Sequence, residues 1–440
     1  MRLRTLALAA VVLSAVPAVA QDRATRVRGD RDTFAESLTW IYNDLGEGMA
    51  AAREQDKPLM AVVRCIPCEA CQEFDDDVAR RDPVIRDLMD RFVCVRLVQA
   101  NTLDLSTFQY DYDQSMAIVF LHPDGTILGR FGTRSERHET EDISLLGLRA
   151  AMEETLRLFA SYDDVRPSLR GKQPGPAEYA TPLEYPSIAG RYGETLDYEG
   201  EVVESCLHCH QVREAERLVY RDAGEPIPDE VLFPYPDPTA LGLKLDPESL
   251  VVVEEVAPGS PADEAGIAVG DRLASVEGQP LVSTADLQWI LHQTPSGPAE
   301  LEAEVGRGDG RVATTLGLPD DWRRSGNISW RVSTWDLRRQ AFGGMKLSDL
   351  DDERRDELGL GEDSMALHAD HVGQYGEHAV AKRAGLEIGD VLLAFDGQEG
   401  RMTESELLAH VLRNRSPGDH IDLRVRKADG SVEDARIRLP

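Results

Sequence analysis

Six cysteines are the residues of this 440-residue sequence whose spacing suggests chemistry. They are Cys65, Cys68, Cys71, Cys94, Cys206 and Cys209. The first three stand at two-residue gaps and so do the last two, whereas Cys94 lies alone in an apolar stretch. Clusters with such gaps indicate redox or metal chemistry rather than a disulfide-stapled scaffold. We expect Cys94 to be a buried, unreactive thiol.

The first cluster lies in the segment KPLMAVVRCIPCEACQEFDDDV, where an apolar strand gives way to a helix predicted to begin at Cys68. Unpaired backbone N–H groups at a helix N-terminus stabilise a thiolate, which lowers the pKa of the cysteine and makes it nucleophilic. Thiol–disulfide exchange also needs a second thiol within reach to resolve the mixed disulfide. A Cys-X-X-Cys pair at this position therefore indicates redox exchange.

The second cluster, ESCLHCH, fits the pattern Cys-X-X-Cys-His. That pattern predicts c-type haem, held by thioether bonds to Cys206 and Cys209 with His210 as the axial ligand of the iron. The sequence between Gly171 and Thr239 offers no methionine as a sixth ligand. Two alternatives remain open. One is a zinc or disulfide staple in a loop-rich segment, since His208 and His210 offer ligand atoms beside the two cysteines. The other is an accessory dithiol that exchanges with the first cluster.

The elements that must position the first cluster alternate between strand and helix patterns from Thr33 to about residue 160. The stretch LMAVVR and the stretch RFVCVRL read as strands, and MAIVFLHPDGTILGRFG reads as two strands joined by a Pro-Asp-Gly turn. The stretch ISLLGLRAAMEETLRLFA closes the unit as an amphipathic helix. This order predicts a layered α/β domain.

An internal repeat of roughly a hundred residues follows a segment rich in Pro, Gly and Tyr. One copy contains VVVEEVAPGSPADEAGIAVGDRLASVEGQPL and the other contains AVAKRAGLEIGDVLLAFDGQ. Each continues into a helix-like stretch and a β-rich tail. Gly266 and Gly270 permit the turns around a short helix in the first copy. The repeat therefore predicts two small α+β modules.

From Lys57 the sequence resembles the thioredoxin-like superfamily over about 130 residues, through the Lys-Pro-strand-Cys-X-X-Cys opening and the late hairpin VFLHPDGTILGRFG. The resemblance implies that Cys68 attacks, Cys71 resolves and Cys65 modulates the pair. The family normally has a cis-proline facing the cysteines, and Ser115-Met116 stand there in this sequence. That departure leaves two alternatives open, a soft-metal site for Cu(I) or Zn(II) and a structural loop.

The two repeats resemble bacterial PDZ domains through their Ser-Pro-Ala, Ala-Gly and Gly-Asp landmarks. The resemblance implies that the C-terminus of a protein or peptide adds as a strand beside a loop, here Ala240-Leu241-Gly242-Leu243. In the second copy, Phe342-Gly343-Gly344-Met345 stand at the matching loop. The alternative is a pair of packing modules with inactive grooves. Similar PDZ pairs often follow a serine protease of the HtrA type, but no Gly-Asn-Ser-Gly-Gly-like nucleophile turn occurs here.

The first twenty residues, MRLRTLALAAVVLSAVPAVA, have the pattern of a cleavable secretory signal, so we expect a periplasmic or secreted protein. No later stretch approaches the run of about 18 apolar residues that spans a bilayer, and no transmembrane segment is predicted. The net charge of −31 makes nucleic acid an improbable partner, because phosphate backbones would be repelled.

The predicted fold class is multi-domain, an α/β thioredoxin-like domain followed by two α+β PDZ-like domains. The expected boundaries are a signal peptide at 1–20, the thioredoxin-like domain at 21–165, a linker carrying the Cys-X-X-Cys-His segment at 166–234, and PDZ-like domains at 235–320 and 328–440. The order resembles a family of bacterial thioredoxin/PDZ proteins that includes selenoproteins. It implies an exported thiol–disulfide oxidoreductase that needs no diffusible cofactor and recruits protein clients through its PDZ modules. The alternative is a non-enzymatic adaptor that binds metal or haem.

Overall fold

The computed structural model describes residues 22–68 and 71–440, which form two compact units. The first unit holds the described residues up to Val212 together with Asp237–Thr294 and Ala299–Leu318, and the second holds Arg213–Pro236, Pro295–Pro298 and Pro319–Pro440. The predicted signal peptide at 1–20 lies outside the described residues. Among the helices that the structure describes, each is too short or too polar to cross a lipid bilayer.

The N-terminal half of the first unit is a five-stranded sheet with flanking helices. Its elements are α1 (22–34), β1 (Ile41–Tyr42), α2 (Leu45–Gln55), β2 (Leu59–Arg64), α3 (Gln72–Ala79), α4 (Arg86–Met89), β3 (Val93–Leu97), β4 (Met116–Leu121), β5 (Ile127–Phe131), α5 (Glu139–Asp142), α6 (Leu145–Ala160) and α7 (Tyr162–Val165). The strand order is β1-β3-β2-β4-β5. Strand β3 runs parallel to β1 and β2, and β4 runs antiparallel to β2 and β5.

The central strands β2 and β4 are buried along their whole length, which explains their unbroken apolar sequences. Helices pack on the sheet and cover both strands. The longest of them, α6, begins at Ser144, whose hydroxyl accepts a hydrogen bond from the N–H of Gly147. The last residue of β2, Arg64, pairs with the first residue of β4, Met116, and the first cysteine cluster begins at this end of the sheet.

The segment after α7, expected to be a linker, is packed. It forms short 3₁₀ helices at Arg166–Lys172 and Pro182–Glu184 and then enters helix α8 (Cys209–Asp222). Leu169 lies in the core of the α/β half. Cys206 packs with apolar residues of that half, among them Ile66 and Val98. Because Pro, Gly and Tyr dominate this stretch, its buried contacts leave no periodic pattern in the sequence.

The C-terminal half of the first unit contains two small sheets and two helices. Its elements are β6 (Leu243–Leu245), β7 (Val253–Val256), α10 (Pro261–Glu264), β8 (Arg272–Val276), β9 (Gln279–Pro280), α11 (Thr284–Gln293), β10 (Ala299–Arg307) and β11 (Gly310–Leu318). Strand β6 pairs with β7, and the other sheet has the order β11-β10-β8-β9. The turn residues Gly266 and Gly270 adopt positive φ angles of 70° and 88°, as their predicted role requires.

Helix α11 packs against the five-stranded sheet through a buried polar contact. Asp286 of α11 accepts hydrogen bonds from the Nζ of Lys172 and from the backbone N–H of Arg130 on β5. The indole N–H of Trp289 donates to the carbonyl of Gly171 at 2.8 Å. Burial lowers the pKa of Lys172, and the adjacent Asp286 carboxylate opposes that shift. The two halves of the first unit are thus joined by a buried ion pair.

The second unit is a five-stranded antiparallel sheet with helices packed on it. Its elements are the rest of α8, α9 (Asp229–Leu232), α12 (Thr334–Phe342), β12 (Met345–Asp349), α13 (Asp352–Leu358), β13 (Leu367–Val372), α14 (Val380–Arg383), β14 (Val391–Phe395), α15 (Glu404–Asn414), β15 (His420–Arg426) and β16 (Val432–Arg438). The strand order is β12-β13-β14-β15-β16. The buried Arg338 donates to both carboxylate oxygens of Glu404, at 2.9 and 2.7 Å.

Candidate thiol site

The loop that leaves strand β2 brings Cys65 and Cys68 together. The backbone N–H of Cys68 donates to the carbonyl of Cys65 at 3.1 Å, which closes a tight turn. The two Sγ atoms lie 2.7 Å apart, and the structure describes all six cysteines as thiols. Cys65 is buried with 5% of its surface exposed, whereas Cys68 is partly exposed. Cys68 is therefore the member of this pair that a second molecule can reach.

The backbone of the cysteine loop is held by the end of a neighbouring strand. The N–H of Cys65 donates to the carbonyl of Ser115 at 2.9 Å, and Ser115 directly precedes β4. Ser115 is the residue that replaces the family's cis-proline, and the described residues contain no cis peptide bond. The carbonyl of the residue before β4 therefore holds the backbone of Cys65.

A buried network of ion pairs holds the loop that carries Cys65 and Cys68. The guanidinium of Arg64 donates to the carbonyl of Cys68 at 2.9 Å and to that of Ser115 at 3.1 Å. Its Nε lies 3.2 Å from a carboxylate oxygen of Asp75 on α3. Asp75 also accepts two hydrogen bonds from the buried Arg96 of β3, at 2.7 and 2.8 Å. Because these charges are paired and buried, the turn is held rigidly.

His208, from the second cysteine cluster, completes the site. Its Nδ1 lies 3.1 Å from the Sγ of Cys65 and 3.8 Å from the Sγ of Cys68. The sequence suggests His208 only as a ligand within the second cluster, so its position beside Cys65 and Cys68 was not predicted. The ring of His210 instead stacks on that of His208, with centroids 5.6 Å apart.

Asn101 positions the segment that carries His208. The side chain of Asn101 is fully buried and accepts a hydrogen bond from the N–H of Leu207 at 2.9 Å. Its amide nitrogen donates to the carbonyls of Gly193 and Ser205, at 2.8 and 2.9 Å. The amide side chain therefore uses donor and acceptor together to hold the second cluster against the α/β half of the unit.

The contact between the two sulfurs shifts their pKa values in opposite directions. The hydrogen bond from Cys65 is the largest influence on Cys68; with the nearby His208 and Arg64 it outweighs burial and lowers the pKa of Cys68 to about 4. The pKa of Cys65 is raised well above its usual range, because Cys65 donates that hydrogen bond and is buried. The pair thus consists of a thiolate at Cys68 and a protonated thiol at Cys65.

Cys71 directly precedes helix α3 and belongs to the apolar core of the α/β half. It packs with Trp40, Val62 and Met116 and has 5% of its surface exposed. Helix α3 begins at Gln72, so the expectation that a helix begins at Cys68 is wrong. Cys71 adopts a left-handed conformation with φ of 61°, so the helix does not include it. The hydrogen bond from Cys65, rather than a helix N-terminus, stabilises the Cys68 thiolate.

Cys206 and Cys209 lie beside His208 but are buried. Cys206 packs among Ile66, Val98 and other apolar side chains, and Cys209 accepts a hydrogen bond of 3.1 Å from the hydroxyl of Tyr110. Burial raises the pKa of Cys206 to about 12 and that of Cys209 to about 11. These surroundings do not fit a haem, because thioether bonds to both sulfurs would place a porphyrin where apolar side chains and Tyr110 lie.

The predicted peptide-binding loop lies where strand β6 begins. Ala240 and Leu241 end a 3₁₀ helix, Gly242 has φ of 75°, and Leu243 is the first residue of β6. A Cβ atom on Gly242 would stand 2.1 Å from the Cβ of Ser260, so glycine is required there. Within the described residues, β6 pairs with β7 alone, which leaves its other edge available to an added strand.

Comparison with protein families identifies the class of both halves of the first unit. Residues 40–123 match the family model described as thioredoxin-like, and residues 252–304 match the PDZ domain model. The chain therefore combines a thioredoxin-like domain with a PDZ domain. The thioredoxin-like match contains the Cys65–Cys68 loop, and the PDZ match contains α10, β8 and α11.

Curated relatives divide in the same way. Over 133 residues the chain is 27% identical to anterior gradient protein 3 of Mus musculus. The aligned segment covers 29% of this chain and 77% of that protein. Over 185 residues the chain is 28% identical to a probable periplasmic serine endoprotease DegP-like of Pseudomonas savastanoi pv. phaseolicola. The aligned segment covers 41% of this chain and 36% of that protein. The chain thus spans about a third of the length of the DegP-like relative.

Solved structures similar to parts of this chain include HtrA proteins. One is the HtrA-type protease AlgW with a decapeptide, at 19% identity and a TM-score of 0.20, covering 32% of this chain and 48% of that chain. Another is the HtrA3 PDZ domain bound to a phage-derived ligand, at 32% identity and a TM-score of 0.15, covering 17% of this chain and 80% of that chain. The family matches, rather than these scores, define the domains.

Proposed function

We propose that this protein is an exported thiol–disulfide oxidoreductase that uses Cys65 and Cys68 as its dithiol pair. The observation that carries the proposal is the 2.7 Å contact between the two Sγ atoms in the loop after β2 of a thioredoxin-like domain. The partial exposure of Cys68 beside a buried Cys65 supports a division of roles. Cys68 is the attacking sulfur, and Cys65 replaces Cys71 as the resolving one.

The reaction transfers two electrons to a disulfide of the client protein. The Cys68 thiolate attacks one client sulfur, the client S–S bond breaks, and a mixed disulfide forms while the other client sulfur leaves as a thiolate. Cys65 gives up its proton and attacks the Sγ of Cys68 as a thiolate, which releases the second client sulfur as a thiolate. The proton of Cys65 passes to a released client thiolate, and a Cys65–Cys68 disulfide remains. An external dithiol restores the reduced pair.

Disulfide reduction by single-cysteine variants tests the proposal. The full mature chain is assayed for insulin reduction with dithiothreitol as the electron source. We expect Cys68→Ser to abolish catalysis and Cys65→Ser to accumulate a mixed disulfide with the client. Cys71→Ser should retain turnover, and Cys94→Ser is the matched control for a buried thiol outside the site. Loss of turnover in Cys71→Ser with normal turnover in Cys65→Ser would assign the pair to Cys68–Cys71 and overturn the proposal.

The PDZ domain is proposed to recruit protein clients by their C-termini. The positive φ of Gly242 and the unshared edge of β6 support this, because a peptide can add as a strand along that edge with its C-terminus at the loop. The second unit is proposed as another PDZ domain. Its strands and helices follow a similar order, and Gly343 and Gly344, with φ of 62° and 91°, stand just before β12.

Export is proposed from the first twenty residues together with the DegP-like relative, whose name describes it as periplasmic. An oxidising compartment suits the enzyme, since disulfide-bonded clients persist there. Fractionation of cells that produce the full chain tests this: we expect the mature protein in the periplasmic or secreted fraction, shortened by about 20 residues at its N-terminus. A full-length protein in the cytosolic fraction would contradict it.

A further inference from the structure

We propose that Cys65, Cys68 and His208 form a binding site for a thiophilic metal ion of filled d shell, Zn²⁺ or Cu⁺. One ligand atom from each residue, two Sγ and one Nδ1, lies within 4.8 Å of the others. The residues come from two segments of the chain that fold together within the first unit. Thiolate and imidazole ligands select these ions over Mg²⁺ or Ca²⁺, which prefer oxygen.

The spacing of the ligand atoms agrees with such an ion. Zn²⁺ in a tetrahedral site forms bonds of about 2.3 Å to sulfur and about 2.0 Å to nitrogen. In that geometry a sulfur and a nitrogen ligand lie about 3.5 Å apart, and two sulfur ligands lie about 3.8 Å apart. The Nδ1 of His208 lies 3.1 and 3.8 Å from the two sulfurs, on either side of the first value. The sulfurs, at 2.7 Å, must move apart by about 1 Å, and Cys68 is the more exposed of the two.

The surrounding structure holds the three ligands in place before an ion arrives. Arg64 donates to the carbonyl of Cys68, and Asn101 fixes the backbone next to His208. The backbone N–H of His208 donates to the side-chain oxygen of Gln211 at 2.9 Å. Cys206 and Cys209, which neighbour His208 in the sequence, are buried and do not belong to the group of three ligand atoms.

Metal binding goes beyond the proposed oxidoreductase activity, although it uses the same two sulfurs. An ion needs both as thiolates about 3.8 Å apart, whereas a disulfide joins them directly, so the two states exclude each other. The reduced protein therefore binds the ion and the oxidised protein does not. An ion that blocks the thiols would also lower disulfide turnover until a chelator removes it.

Metal titration of the full mature chain tests the site. Protein reduced without oxygen and freed of metal is titrated with Zn²⁺ against a chromophoric chelator, and in a second series with Cu⁺ against bathocuproine. We expect one ion per chain, with a 2:1 ratio of sulfur to nitrogen ligands in X-ray absorption spectra. His208→Ala should weaken binding by at least about 100-fold. His210→Ala, the neighbouring ring in the same motif, is the matched control and should leave affinity within about threefold.

Three outcomes would overturn the inference: no binding of either ion at one per chain, equal affinity in wild type and His208→Ala, or loss of binding in His210→Ala equal to that in His208→Ala. Circular dichroism of each variant establishes that it is folded. The variant Cys206→Ser/Cys209→Ser is expected to keep the ion, and loss of the ion in it would identify binding at those thiols.

Insulin reduction by metal-free protein separates the two proposals. Turnover without metal binding rejects the site alone, and binding without turnover rejects the enzyme alone.

Discussion

The Sγ of Cys65 lies 3.1 Å from the Nδ1 of His208, although 143 residues separate them in the sequence. This contact makes the two cysteine clusters parts of one site. The second cluster contributes the imidazole of His208 to this site. The sulfurs of Cys206 and Cys209 are buried nearby. The site is consequently a property of the whole first unit, since the thioredoxin-like family match ends at residue 123.

Cys68 should be the fastest thiol to alkylate in the reduced, metal-free protein. Its pKa is lowered from the usual value of 9.0 to about 4, so the thiolate is populated above about pH 4 and the rate with iodoacetamide stays nearly constant through neutral pH. Cys65→Ser replaces the hydrogen-bond donor that contributes most to this shift. In that variant the inflection should move to higher pH. A wild-type rate that keeps rising up to pH 9 would contradict the assignment of a thiolate.

Cys206 and Cys209 should resist labelling in the folded protein and should carry no haem. Both sulfurs are buried and have raised pKa values, so maleimide should modify Cys68 while these two remain unmodified. Mass spectrometry of peptides after native labelling measures this, and labelling in guanidinium provides the control in which all six cysteines react. Protein made together with a c-type haem maturation system should show no Soret band. A haem-sized mass addition on the Cys206–Cys209 peptide would restore the haem prediction.

The buried contact of Asp286 with Lys172 should contribute strongly to stability. Asp286→Asn leaves the fully buried ammonium of Lys172 without its carboxylate, which is expected to lower the free energy of unfolding by about 3–5 kcal/mol. Glu300→Gln changes an exposed carboxylate of β10 in the same unit and should cost less than about 0.5 kcal/mol. Denaturation in guanidinium measures both.

A second substitution separates charge from packing in this contact. If the buried cation causes the loss, Lys172→Met added to Asp286→Asn should recover part of the stability, because it removes the uncompensated charge. An additive effect of the two substitutions would instead attribute the loss to the backbone hydrogen bonds that Asp286 accepts from Arg130 and Val282.

The local elements could be predicted from the sequence because their signals are local. The strand around Cys94 is β3, the Pro-Asp-Gly turn joins β4 to β5, and Cys94 is buried as expected. The start of α3 was not predictable from periodicity, because the left-handed conformation of Cys71 delays it by one turn. The pairing of Cys65 with Cys68 and the position of His208 depend on hydrogen bonds that Ser115 and Asn101 accept from the backbone of the two clusters. Neither residue belongs to a motif, so the composition of the site could not be read from spacing alone.

Substitution of Gly242 should weaken peptide binding without unfolding the PDZ domain. In Gly242→Ala the new methyl group would meet the side chain of Ser260 at 2.1 Å and force the loop before β6 to shift. We expect at least a tenfold loss of affinity for a fluorescent peptide that ends in valine, because the loop N–H groups would no longer converge on its carboxylate. Gly278→Ala is the matched control: its φ is 67°, and a methyl group there has no atom within 4 Å. Both variants carry similar backbone strain, so equal losses of affinity would show that strain, rather than the carboxylate loop, controls binding. Equal binding of the peptide and its C-terminal amide to the wild-type protein would reject recognition of a free C-terminus.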